Sequence, residues 1–64
     1  MDREYDIFER LPDGKVLWHE VNRGHERAVE RLKQLAAASQ SKNEFFAIHV
    51  PTKAIIAVIN AKKP

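Results

Sequence analysis

The chain has 64 residues, 11 of them basic and 9 acidic, for a net charge of +2. A chain of that length holds one domain, buries only about 60% of its unfolded surface and leaves little room for a water-excluding pocket. It has no cysteine, which excludes disulfide staples and thiolate metal sites, and the charge balance is too even to identify a nucleic-acid partner by itself.

The N-terminus, Met1-Asp2-Arg3-Glu4, lacks the basic-then-apolar pattern of a secretory signal. No apolar run approaches the length of a membrane span. A soluble cytoplasmic protein with no membrane contact is expected.

Glu4–Leu11 reads as a first strand, with Tyr5, Ile7 and Phe8 as its β formers. Leu11-Pro12-Asp13-Gly14 is the strongest turn signal in the chain. Proline presets φ, aspartate favours the turn, and glycine takes the left-handed position that closes a hairpin with a G1 bulge. Lys15–Val21 is the returning strand. With Pro12-Asp13-Gly14 as the loop, Leu11 faces Lys15, and counting outward pairs Glu9 with Leu17, Phe8 with Trp18, Ile7 with His19 and Tyr5 with Val21. One face of the hairpin then carries Tyr5, Ile7, Leu17 and Val21. The other carries Phe8, Val16 and Trp18 with Asp6, Arg10 and Glu20. A four-residue loop would shift this register and reassign one strand's face.

Gly24–Ser41 is predicted to be the helix. At about 3.6 residues per turn, Ala28, Leu32, Leu35 and Ser39 fall on one side with Val29 and Ala36 beside them, and Arg27, Glu30, Arg31 and Gln34 fall opposite. The stripe is narrow and alanine-rich, so the helix can lie close to a sheet. Asn22 or Gly24 is the expected N-cap. Ser39-Gln40-Ser41-Lys42-Asn43 is too polar to extend the stripe.

Glu44–Val50, with Phe45, Phe46 and Ile48, is the third strand. Val50-Pro51-Thr52-Lys53 is a weaker turn without glycine. Ala54–Asn60 is the fourth strand, and its unbroken run Ile55-Ile56-Ala57-Val58-Ile59 suggests burial on both faces. Residues 61–64 read as a frayed tail. The expected fold is a single α+β domain over 1–64, ββαββ, with a four-stranded antiparallel sheet in the order 4-3-1-2 and the helix on one face.

One helix covers one face only. The other is left displaying Phe8, Val16 and Trp18, together with either Phe45 and Ala47 or Phe46 and Ile48 from the third strand. The fourth strand adds either Ile55 and Ile59 or Ile56 and Val58. The chosen interaction face is Phe8, Val16, Trp18, Phe46, Ile56 and Val58. A patch of this kind exceeds what a soluble monomer usually exposes. Sheet-to-sheet packing in a homodimer is the expected remedy, with edge pairing through the fourth strand as the alternative.

Chemistry is poorly signalled. His19, His25 and His49 lack metal-ligand spacing, and a metal site is not expected; His19 and His49 lie on strands and would be neighbours only if their faces matched. Ser39 and Ser41 have no glycine-rich elbow or phosphate loop around them, so neither a catalytic residue nor a cofactor is assigned and the chain is not expected to be an enzyme. Arg23, Arg27 and Arg31, four apart, form a ridge that could grip successive phosphates, but interleaved glutamates read it as a solvated helix edge. Nucleic-acid binding through that ridge, or through aromatics on an open sheet, is the alternative to a self-associating interaction module.

Tyr5-Asp6-Ile7-Phe8, Leu11-Pro12-Asp13-Gly14, Trp18, the helix with Ala28, Leu32 and Leu35-Ala36, and the strand Phe45-Phe46-Ala47-Ile48 together resemble a group of short uncharacterised bacterial proteins with a ββαββ plan. The resemblance implies the fold and no mechanism. Such proteins often carry a glycine in the second hairpin turn, where this chain has Pro51-Thr52-Lys53.

Overall fold

The computed structural model describes residues 3–40 and 42–60. Among them the chain forms β1 (Glu4–Arg10), β2 (Val16–Arg23), α1 (His25–Ala38), β3 (Glu44–His49) and β4 (Ala54–Ile59). The strands make one antiparallel sheet in the order β2-β1-β3-β4, which is the expected order read from the other edge.

The first turn forms as its residues dictate. Leu11 N–H donates to the Lys15 carbonyl at 2.8 Å, and Gly14 N–H donates to the Leu11 carbonyl at 2.9 Å. The Asp13 carboxylate accepts the Lys15 N–H at 2.9 Å. Gly14 sits at φ 91°, in the left-handed region that glycine enters without Cβ strain. The second turn reaches a similar conformation without glycine. Lys53 takes φ 59° and its N–H closes the turn on the His49 carbonyl at 2.6 Å.

The helix is shorter than the 24–41 stretch read from its periodicity. Gly24, at φ 90°, is the N-cap and Ser39, with extended backbone, is the C-cap. Ser41 and the tail at 61–64 lie outside the described residues. The apolar stripe packs as expected: Ala28 and Leu32 are fully buried, and Leu35 and Ala36 lie against the same core as Ile7, Phe45 and Ala47.

The register departs from the sequence reading at two places, one in each edge strand. From Arg10↔Val16 to Phe8↔Trp18 the pairing is the expected one. It then slips, so that Ile7 faces Glu20, Asp6 faces Val21 and Tyr5 faces Asn22. His19 is the extra residue of a β-bulge. Val21 therefore moves to the face away from the helix, and Asn22 takes the place beside Tyr5. Beyond the bulge Glu20 also changes side and meets the helix. A second slip lies in β4, between Ala47↔Ala57 and Ile48↔Ile55, with Ile56 as the extra residue. Ile56, Ala57 and Ile59 pack on the core under the helix, so Ile56 leaves the open face to which its spacing from Val58 had assigned it. The continuous apolar run of β4 does not make it a strand buried on both sides. It is an edge strand, one face against the core and the other carrying Ile55 and Val58 into solvent.

Candidate functional site

The sheet face away from α1 is built from alternate residues of four strands. Reading across the sheet from β2 to β4, one row is Trp18, Phe8, Phe46 and Val58. The next is Val21, Asp6, Ile48 and Ile55. At the end near the first turn stands a shorter row of Val16, Arg10 and Glu44. Five of the six residues chosen from the sequence for this face, Phe8, Val16, Trp18, Phe46 and Val58, come together on it. Val21, expected on the opposite face, is brought here by the first bulge, and the second brings Ile55 together with Val58, although the spacing had offered Ile55 only as the alternative to the set of Ile56 and Val58. A period-2 count cannot anticipate a bulge, because the extra residue leaves no mark in the alternation.

The two columns at the edges of this face are the exposed ones. Trp18 is 53% accessible and Ile55 56%, and Val16, Val21 and Val58 are nearly as open. The centre is different. Phe8 and Phe46 stack with ring centroids 5.6 Å apart, and the Arg10 guanidinium carbon lies 5.3 Å above the Phe46 ring. Arg10 Nε also donates to Glu44 Oε1 at 2.9 Å. Phe46 is consequently only 5% accessible although no helix covers it. A single arginine, held by a carboxylate and a cation–π contact, roofs the middle of the face. Trp18 Nε1 donates to Asp6 Oδ1 at 3.2 Å, which satisfies the indole and leaves its rings standing in solvent. Between β1 and β3 a hollow of about 290 Å³ is lined by Asp6, Phe8, Ile48, Val50 and Lys53.

Polar groups beneath the helix hold elements together. Arg31 Nε and Nη2 donate to the two oxygens of Glu20 at 2.9 and 2.8 Å, a bidentate pair that ties α1 to β2. Asn22 Nδ2 donates to the same carboxylate at 2.7 Å. The Arg31 hydrogen bonds, then that of Asn22, lower the Glu20 pKa from 4.5 to about 2, and Glu20 in return raises that of Arg31. The arginine ridge is thereby dissolved. Arg23 ends β2 rather than starting the helix, Arg31 is engaged with Glu20 and Gln34, and Arg27 alone of the three projects from the helix as exposed cation.

The histidines separate. His19 Nε2 lies 2.9 Å from Glu9 Oε1, and its ring packs on Phe45 at the start of β3. Asn43 Nδ2 donates to the other oxygen of the nearly buried Glu9 at 2.7 Å. His49 stands at the far end of β3, against Tyr5, with Nδ1 2.8 Å from Thr52 Oγ1. Its Nε2 is buried without a hydrogen-bond partner among the described residues. His25 meets the other side of Tyr5 edge-on. Among the described residues no three potential ligands gather for a metal ion, and no helix is long and apolar enough to cross a membrane. No protein family, no curated protein and no solved structure matches the chain.

Proposed function

We propose that this chain is a small non-enzymatic interaction module that self-associates through the open face of its sheet. The observation that carries the reading is the row of large apolar side chains, Trp18 and Val21 at one edge and Ile55 and Val58 at the other, standing exposed on the face that α1 does not cover. Exposed apolar area of this extent costs solubility unless something packs on it.

Face packing is favoured over edge pairing by the two bulges. A bulge in an edge strand interrupts its ladder of free N–H and C=O groups and twists the edge away from a would-be partner strand. Both edges carry one. Nucleic-acid binding draws less support, because the arginines that would grip phosphates are dispersed and one is neutralised by Glu20. Four strands about 4.8 Å apart and about 20 Å long present roughly 400 Å² in projection. For the two copies together that is about 800 Å², below the roughly 1,000 Å² of a stable specific interface, so the dimer is expected to be weak and transient, with a Kd of about micromolar or higher.

Sedimentation velocity of the full chain across a range of concentration tests this. A monomer–dimer equilibrium that weakens with Trp18→Ala is expected. A strict monomer at the highest concentrations would remove the proposal.

A further inference from the structure

We infer that two copies of the chain meet about a two-fold axis parallel to the strands, between β1 and β3, so that β2 of one copy lies over β4 of the other. The inference rests on the reading that the open face self-associates, and it adds which residue meets which.

An aligned sheet-on-sheet dimer has two simple in-plane axes, since a two-fold along the strands and one across them both keep the strands within about 30° of each other. They bring different residues together. The axis along the strands preserves each row and reverses its order. Trp18 then faces the partner's Val58, Val21 faces the partner's Ile55, and Phe8 faces the partner's Phe46. Trp18 meets the smaller Val58, Val21 meets an Ile55 of similar size, and in the middle Phe8 meets the Arg10 guanidinium that lies over the partner's Phe46. In the end row, Arg10 faces the partner's Glu44, and by symmetry Glu44 faces the partner's Arg10.

The axis across the strands matches less well. It lays the two central rows on each other, setting Phe8 over the partner's Asp6, and it sets Glu44 against the opposite end of the partner's β3, where Val50 follows the strand. Asp6 meets an apolar group under either axis, the partner's Ile48 along the strands and the partner's Phe8 across them, so Glu44 makes the difference: across the strands its carboxylate is desolvated against an apolar group without compensation. Along the strands, the Arg10–Glu44 pair already formed within each copy at 2.9 Å becomes a four-charge cluster of alternating sign. Such charges add little to affinity at a partly wet rim, but they select orientation, because the wrong arrangement places like or unpaired charges together.

Arg10→Glu and Glu44→Arg test the arrangement. Each variant alone carries two like charges at this row and repels its own copy. In an equimolar mixture, the new Glu at position 10 meets the new Arg at position 44 of the other variant, and the native Glu44 meets the native Arg10. The intrachain pair stays broken in both, so any rescue is intermolecular. Arg10 is about half-exposed and Glu44 less so; a surface pair of this kind contributes little to stability, and circular dichroism of each variant checks that the fold survives the loss of the Arg10 cover over Phe46. By sedimentation, each variant alone is expected to dimerise at least about tenfold more weakly than the parent, with the mixture recovering most of the loss. Variants that dimerise as the parent does, or a mixture without rescue, would overturn this arrangement while leaving face-to-face association standing. A parent chain that never dimerises would remove both.

Discussion

The two faces of the sheet are made of the same kinds of residue and are finished in opposite ways. Beneath α1, Ile7, Phe45 and Ala47 lie under Leu32 with almost no surface left, and Glu9, Glu20 and Asn22 there are hydrogen-bonded. On the other side, the two edge strands show Trp18, Ile55 and Val58 to solvent. Phe45 and Phe46 are neighbours in sequence, yet one is sealed by a helix and the other by Arg10 and the stacked Phe8 ring. Apolar composition alone therefore does not decide burial. Burial depends on whether an element is available to lie on that side, and the described residues form one helix to place.

The comparison breaks most visibly under truncation. Leu32→Ala on the covered face is expected to cost about 3 kcal/mol. For a domain of this size, with total stability on the order of 3–10 kcal/mol, urea unfolding should show a large loss of native protein. Trp18→Ala on the open face should leave the urea midpoint of dilute protein nearly unchanged, within about 0.5 kcal/mol, and weaken self-association about tenfold or more by sedimentation. Equal effects of the two on monomer stability would mean that both faces belong to one core.

Acid sharpens the contrast through Glu20, the link between α1 and the sheet. Its carboxyl is held at about 2 in the folded protein, below its ordinary 4.5, by Arg31 and Asn22. The native state therefore binds this proton less readily than the unfolded chain. The pair's stabilisation is complete above the unfolded value and is lost as pH falls from about 5 toward about 2. Both side chains are partly open to water, so the contribution is about 1 kcal/mol rather than what the full shift would imply. Glu20→Gln should remove that much at pH 7 and flatten the pH dependence of thermal unfolding over the same interval.

The smallest effect concerns the turn between β3 and β4. Lys53 occupies a left-handed conformation that costs a residue with a Cβ. Lys53→Gly should raise stability by about 0.5 kcal/mol, the relief of strain being offset in part by glycine's greater freedom when unfolded. A loss would indicate that the lysine side chain contributes more than its backbone costs.

Local chemistry was enough to lay out most of the frame. The spacing of Ala28, Leu32 and Leu35 fixed the face that the helix buries, Pro12-Asp13-Gly14 set the first hairpin and its initial register, and the ββαββ order set the sheet topology. These signals are carried by residues close in sequence, where periodicity and turn stereochemistry act directly. Which side Val21, Asn22, Ile55 and Ile56 face was decided only in the folded sheet, because each bulge answers to the packing of an edge strand against its neighbour and the helix above. The Glu20–Arg31 clasp was likewise invisible, since it joins residues on two elements that meet through tertiary packing. The partial closing of the open face by Arg10 needed Phe46 and Glu44 to be carried from the far side of the helix to lie beside β1. The chain alone determined that one sheet face would lack a helix, and the tertiary structure decided how much of that face is left for another molecule.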